Sequence, residues 1–231
     1  TRSQARQFIV LWQGLSGPYR WRTNAEIVGL VHQLGCLQFD PIDICGRNAD
    51  LVLQARVGGY RKSQLETLLY KERKLIDALD KNMAIYAEQD YPKFARNRLH
   101  TMGYHRVSEQ IENAAAQIKQ FMRTHPVICS QDLQWDENLV WVWGRTASLA
   151  AVALEVMLYR GDVVIHHRRG TIRYYNLTSE RFPGLDPLAD PFASDAEYYG
   201  WRIERRIRAL GLCWNRTSDA WLGIEKMKSP E

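Results

Sequence analysis

The chain has 231 residues, 45% of them hydrophobic and 25% charged, a composition typical of a globular protein and not of a disordered or fibrous one. It contains no run of about 18 apolar residues, so the sequence offers no transmembrane helix. The 31 Lys and Arg residues exceed the 26 Asp and Glu residues and give a net charge of +5, which favours a polyanionic partner without requiring one.

Cysteine spacing argues against two further classes of protein. The four cysteines include no CxxC pair, so neither a disulfide scaffold nor a zinc site is expected, and we expect no metal and no cofactor. Reduced thiols fit a cytoplasmic protein. The sequence also lacks the motifs of P-loop hydrolases, dinucleotide-binding enzymes, serine hydrolases and zinc proteases.

Apolar periodicity predicts four helices and one short strand near the start of the chain. The helices are expected at 4–15, 24–34, 48–56 and 63–72, with Asn24 and Ser63 as N-caps and Gly35 as a stop. Residues 36–40, followed by Pro41, predict a short strand. Periodicity does not decide whether 74–87 forms a strand pair or a wing.

A second helical unit begins near residue 106. Helices are expected at 107–123 and 146–159, with a short helix beginning at Ser130 between them. Residues 162–177 hold two β-rich runs around Arg169-Gly170, which predict a hairpin. Three helices followed by a hairpin is the order of a winged helix-turn-helix.

We therefore predict a mainly α fold with small β-hairpin wings, an α+β arrangement of tandem winged helix-turn-helix motifs. A stretch with three prolines reads as a linker, and a further helix is expected at 195–209, with Thr217 or Ser218 capping another. The predicted domains are a first unit at 1–105, a second at 106–182, a linker at 183–194 and the start of a third unit at 195–231.

The sharpest chemical feature is Gln38-Phe39-Asp40. Residues i and i+2 of a strand point to the same face, so Gln38 and Asp40 are expected to project together while Phe39 packs behind them. An amide beside a carboxylate can hold a water molecule, and the carboxylate can accept its proton and stabilise a nearby cation. The alternative is the exposed polar face of a half-buried strand.

Two basic segments are candidates for contact with phosphate. The predicted hairpin gathers His167, Arg168, Arg169 and Arg173 near its tip, as a DNA-contacting wing would, although charges also keep a hairpin edge soluble. Its neighbouring His166 and His167 should face opposite ways on a strand and therefore not share a metal ion. Further on, Arg202, Arg205 and Arg206 share one helical face, which could follow a phosphate backbone or lie solvated.

The sequence resembles the YcaQ/AlkZ-like bacterial DNA glycosylases along nearly its whole length. The resemblance rests on Leu37-Gln38-Phe39-Asp40, on Arg47 and the helix 48–56 that follows it, and on the hairpin of the second unit, at 161–178. It implies tandem winged-helix motifs and makes Gln38 and Asp40 catalytic, in the Q-Φ-D branch associated with N-alkylated purines and crosslink unhooking. It also implies that Arg47 contacts DNA and that this chain is an N-terminal fragment or short variant without the family's C-terminal β domain.

One departure from the family stands at Asp80-Lys81-Asn82-Met83, where members often carry Ala-His-Glu-Ala. Lys81 replaces the His, and we expect it to contact phosphate or to lie solvated on the surface. The leading hypothesis is a monofunctional, monomeric DNA glycosylase that acts on alkylated double-stranded DNA near the nucleoid. The alternatives are a non-catalytic winged-helix transcriptional regulator and a winged-helix scaffold for protein partners.

Overall fold

The computed structural model describes residues 1–40, 42–80, 82–104, 107–141, 144–214, 221 and 224. The chain divides into two compact units. Unit 1 joins Thr1–Tyr91 to Phe192–Glu231, and unit 2 is Pro92–Pro191. None of the described helices is both long enough and apolar enough to cross a membrane.

Unit 1 combines helices with one small antiparallel sheet. Its helices are α1 (Arg2–Trp12), α2 (Asn24–Leu34), α3 (Asn48–Gln54), α4 (Lys62–Glu66), which continues as a π turn (Thr67–Lys71), and α9 (Asp195–Leu210). Its strands are β1 (Leu37–Gln38), β2 (Leu75–Leu79) and β3 (Met83–Ala87), followed by a 3-10 turn (Glu88–Asp90). The strand order is β1-β3-β2, so residues 74–87, which the sequence left undecided, form a hairpin with β1 added at its edge.

The core of unit 1 lies between α2, α3, α4 and the sheet. It contains Ile27, Leu30, Leu53 and Leu68, all fully buried. Helix α9 packs against α2, which places the segment expected to open a third unit inside the first one. The three-unit scheme with its boundaries at 105, 182 and 194 stays a prediction.

Unit 2 is built on two long helices and two hairpins. Its helices are α5 (Ala95–Tyr104), α6 (Glu109–Met122), α7 (Leu149–Arg160) and α8 (Thr178–Arg181), with 3-10 turns at Pro92–Phe94 and Ser130–Leu133. Its strands are β4 (Asn138–Val140), β5 (Thr146–Ser148), β6 (Val163–Arg169) and β7 (Ile172–Leu177). Helices α6 and α7 pack together, and Ile128 adds a bridge to Tyr175 of the second hairpin.

Several helix ends differ from the sequence-based prediction. Thr23, not Asn24, caps α2: its hydroxyl accepts the N–H of Glu26, whose carboxylate accepts the N–H of Thr23. This reciprocal capping box leaves Asn24 as the first residue of the helix. The prediction that Ser63 caps the next helix is also wrong, because Arg61 occupies the N-cap position of α4 and Ser63 lies inside the helix. The predicted stop at Gly35 is confirmed, with a φ of +76°.

Other segments match the prediction more closely. The helix expected at 146–159 begins three residues later, because 146–148 pairs as β5, and ends as expected before Gly161. The short helix expected at Ser130 is one 3-10 turn. The helix at 195–209 and the hairpin within 162–177 are confirmed. Thr217 and Ser218 lie outside the described residues. The observed fold is therefore mixed α and β, with small antiparallel sheets.

Candidate active site

The strand that carries Gln38 is held at the edge of the unit 1 sheet. Leu37 pairs with Ile85 and Gln38 with Ala84, and the N–H of Phe39 donates to the carbonyl of Met83 at 2.9 Å. Leu37 is buried and Phe39 packs against the hydrophobic core, so both anchor the strand from behind. The side chain of Gln38 is exposed, as the alternation of a half-buried strand requires.

Asp40 lies just beyond the end of β1, because the strand is shorter than the predicted 36–40. Its side chain is half-buried, and its Oδ1 accepts the backbone N–H of Ile42 at 3.0 Å. This local hydrogen bond fixes the carboxylate against its own loop. Among the described residues, Oδ2 meets no donor, which leaves it available to a substrate or a water molecule.

Gln38 also lines a recess of about 240 Å³ within unit 1. The other polar side chains around it are those of Gln13, Arg56 and Arg206. Arg56 is half-buried and donates to the carbonyl of Val52 at 3.0 Å, and burial lowers the pKa of its guanidinium. The recess is therefore a basic, partly apolar pocket beside the candidate catalytic amide.

Helix α9 contributes a buried ionic cluster behind this strand, which we call the Asp80 cluster: Asp80 with Arg202, Arg205 and Arg206. The carboxylate of Asp80 accepts from Nη1 of Arg205 at 2.5 Å and from Nη2 of Arg206 at 3.0 Å, and lies 3.3 Å from Nη1 of Arg202. The arginines are 1–7% exposed. The prediction that these arginines follow a phosphate backbone or lie solvated is wrong, since all three are buried and face Asp80.

The Asp80 cluster binds the backbone just before β1, and its charges shift the pKa values of Asp80 and of a neighbouring thiol. Nη2 of Arg205 donates to the carbonyl of Gly35 at 2.5 Å, two residues before β1. Burial alone would raise the pKa of Asp80, but the facing guanidinium groups of Arg205, Arg206 and Arg202 hold the pKa of that carboxyl well below its usual range. Burial, with the nearby Asp80 carboxylate, raises the pKa of the Cys36 thiol.

Sequence reasoning missed the Asp80 cluster, although its signal was present. Tyr198, Arg202, Arg205 and Arg206 follow the i, i+4, i+7, i+8 spacing of a buried helix face. The acidic partner is 125 positions away from Arg205, in the turn between two apolar strands. The available clue was an acid at the turn of a largely apolar hairpin, three residues after Asp77 of β2.

Arg47 is engaged within the protein. Its Nε donates to Oδ2 of buried Asp50 at 2.6 Å, and Nη2 lies 3.7 Å from Glu66. Tyr60 donates to the other oxygen of Asp50 at 2.6 Å. Burial lowers the pKa of Arg47, but the hydrogen bond and charge of Asp50, with Glu66 and Tyr60, outweigh it and leave that pKa raised. In the structure Arg47 is the N-cap residue of α3, and its side chain binds Asp50 of the same helix. Contact between Arg47 and DNA stays a prediction.

The basic hairpin of unit 2 forms where the sequence predicts it, with its turn at Gly170. Arg168 pairs with Arg173 across the strands, and Gly170 adopts a φ of +59° at the tip. His167 stacks on Tyr174 with ring centroids 4.4 Å apart, and the exposed Arg169 lies over the same ring at 5.1 Å. The hairpin therefore gathers these four basic residues on one element of unit 2.

The two histidines do not face opposite ways. The ladder has a bulge between Ile165 and His167, and the Nδ1 atoms of His166 and His167 lie 2.8 Å apart. One extra residue in a strand reverses the alternation that the prediction assumed. Across the described parts of both units, no group of three or more His, Cys, Asp or Glu side chains is placed to hold a metal ion. Lys81 lies outside the described residues.

Comparison with known proteins identifies the family. The sequence model described as DNA glycosylase AlkZ-like matches residues 31–229. The structure is similar to that of the Streptomyces sahachiroi DNA glycosylase AlkZ, with a TM-score of 0.61 and 15% sequence identity. That match covers 97% of this chain and 61% of the other, so the chain spans about three fifths of that protein's length.

None of the curated proteins matches the chain. The structural similarity, at 15% identity, shows a shared fold. The family model extends over most of the chain, including the strand with Gln38, the α3 helix, the basic hairpin and α9. On this evidence the chain belongs to the AlkZ-like DNA glycosylase family.

Proposed function

We propose that this protein is a monofunctional DNA glycosylase that hydrolyses the N-glycosidic bond of cationic, alkylated purines in double-stranded DNA. The observation that carries the proposal is the placement of Gln38 and Asp40 in a chain of this family. An exposed amide stands on a strand that is paired with β3, and a carboxylate with one oxygen available follows it two residues later. Family membership and the net positive charge support DNA as the substrate.

The chemistry needs little beyond these two groups. A 7-alkylated guanine is already a cation, so it leaves as a neutral base when the C1′–N9 bond breaks, without a general acid. Asp40 stabilises the oxocarbenium ion that develops at C1′ and accepts a proton from the attacking water. Gln38 orients that water, whose oxygen bonds to C1′. Crosslink unhooking would use the same step on a larger leaving base.

The element order supports a winged-helix interpretation of both units. In unit 1 the order is α2, β1, α3, α4 and the β2–β3 hairpin, and in unit 2 it is α6, the Ile128 bridge, the 3-10 turn at 130–133, α7 and the β6–β7 hairpin. We propose two winged-helix motifs, with the β6–β7 hairpin as a wing whose His167, Arg168, Arg169 and Arg173 contact phosphates. Arg47 and Lys81 are further proposed DNA contacts.

The decisive test is Asp40→Asn in a single-turnover assay of 7-methylguanine release. Asn keeps the size of the side chain but removes the charge, so the rate should fall by about 10² or more, while folding and DNA affinity persist. Gln38→Ala should lower the rate less, because Gln38 carries no charge.

Asp186→Asn is the matched control, since Asp186 makes the same hydrogen bond to the N–H two residues on, at 2.9 Å, in unit 2. Its rate should stay at the wild-type value. Wild-type rates for Asp40→Asn would exclude the catalytic assignment. Sustained DNA binding with no excision by the wild-type protein would instead favour the non-catalytic, regulator-like alternative.

A further inference from the structure

The loop after the candidate catalytic strand presents aliphatic side chains to solvent. Within residues 42–45, Ile44 is 92% exposed and Ile42 is 62% exposed. Single exposed apolar residues are ordinary on protein surfaces, but two branched aliphatic residues at one loop tip are not the usual loop composition. The tip begins two residues after Asp40, so its position is tied to the candidate active site.

The two acidic side chains of this loop are bonded to other groups of unit 1, although the ion pair of Asp43 lies on the surface, with Asp43 44% exposed and Lys62 55% exposed. Asp40 accepts the N–H of Ile42 at 3.0 Å, and Asp43 forms an ion pair with Lys62 of α4 at 3.2 Å. The acidic side chains of the loop thus have partners within unit 1, while the side chains of Ile42 and Ile44 extend into solvent without a comparable anchor.

The far end of the loop is fixed as firmly as its start. Gly46 has a φ of +124°, and a Cβ there would lie 2.8 Å from Cδ2 of Leu51. The next residue, Arg47, is bound to buried Asp50 at 2.6 Å. At the near end, Phe39 is bonded to β3 and packed on the core. The aliphatic tip is therefore flanked on both sides by residues that are bonded to the rest of unit 1.

We propose that Ile44, supported by Ile42, is a wedge that enters the base stack of duplex DNA and occupies the space left when the target nucleotide is extruded towards Gln38 and Asp40. Aliphatic side chains are inserted between base steps by many DNA-bending proteins, and an enzyme that acts on a base must first unstack it. The inference rests on the proposed function, since it takes duplex DNA as the partner.

The test uses two readouts of Ile44→Ala. The first is the fluorescence of 2-aminopurine placed next to a tetrahydrofuran abasic analogue, measured with the duplex saturated with protein as judged by anisotropy. Wild-type protein should raise this fluorescence, and Ile44→Ala should lose half or more of the rise. Ile207→Ala, an exposed Ile on α9, is the matched control and should keep it. Thermal midpoints of all variants should match the wild type, because the side chains are exposed.

The second readout is single-turnover release of 7-methylguanine from a normal pair and from a mismatch. Ile44→Ala should slow release from the pair by about tenfold and from the mismatch by much less, because an unpaired base is already easier to extrude. Unchanged fluorescence, or equal slowing on both substrates, would overturn the wedge. If the wild type excised nothing yet Ile44→Ala still lost the fluorescence rise, the proposed function would fail and the wedge would stand.

Discussion

Replacing Asp80 by Asn should destabilise unit 1 more than any surface substitution. Asp80 is the carboxylate on which Arg202, Arg205 and Arg206 converge, and its side chain is fully buried. Among the residues that the structure describes, Asp90 provides a further negative charge, 3.7 Å from Nε of Arg205. The variant removes the carboxylate that faces three buried guanidinium groups, and removing one partner of a buried ion pair costs about 3–5 kcal/mol.

That cost is a large part of the stability of a typical domain, which is about 5–15 kcal/mol. We expect urea denaturation, followed by circular dichroism, to show a drop of about 3–5 kcal/mol in the free energy of unfolding of unit 1. The matched control is Asp162→Asn in unit 2, where the exposed ion pair with Lys119 at 2.7 Å should contribute about 1 kcal/mol or less.

The effect should also depend on pH. Because the pKa of Asp80 is depressed in the folded protein, its stabilising contribution is complete above the unfolded carboxyl pKa of about 4 and is lost as the pH falls towards the lower folded pKa. The difference in stability between wild type and Asp80→Asn should therefore narrow below about pH 4. A loss under about 1 kcal/mol at neutral pH would refute the assignment of a structural ion cluster.

Two further predictions concern unit 2. The double variant Arg168→Ala, Arg169→Ala should reduce the slope of log affinity against log salt concentration by about 1–2, because each lost phosphate contact removes ~0.9 from it. The reduction should be the same for all DNA sequences. An unchanged slope would mean that the hairpin does not touch DNA. Gly161→Ala should destabilise unit 2 by about 1–3 kcal/mol in urea denaturation, because φ is +82° and the new Cβ would fall 2.8 Å from Cδ of Arg98. Gly170→Ala, with φ +59° but open space around it, is the control and should cost only its backbone strain of about 1 kcal/mol.

Local patterns explain why much of the fold was predictable from the sequence. The β6–β7 hairpin follows from two β-rich runs around Gly170, and the end of α2 follows from Gly35, whose conformation few other residues adopt. The first residue of α2 is harder to predict, because Thr23 and Asn24 are both good N-caps. The pair of hydrogen bonds between Thr23 and Glu26 decides in favour of Thr23.

Long-range pairing and irregular geometry explain the errors. The arginine face of α9 reads as solvated by residue type, and its burial depends on an aspartate that is distant in sequence and meets it only after folding. The bulge at His166 inserts one residue into a regular alternation, so the mutual orientation of His166 and His167 could not be taken from strand periodicity.

The candidate active site combines a rigid frame with a small number of free polar groups. Its frame comes from three directions: the core holds Phe39, the Asp80 cluster holds the carbonyl of Gly35, and Asp50 holds Arg47. A catalytic carboxylate works best when the surrounding protein fixes it before the substrate arrives, because no reorganisation is then needed in the transition state. The buried arginines of α9 therefore support the proposed chemistry as positioning groups, although none of them was predicted to face inward. The exposed side chain of Gln38 and the available oxygen of Asp40 are the groups that can contact a nucleotide.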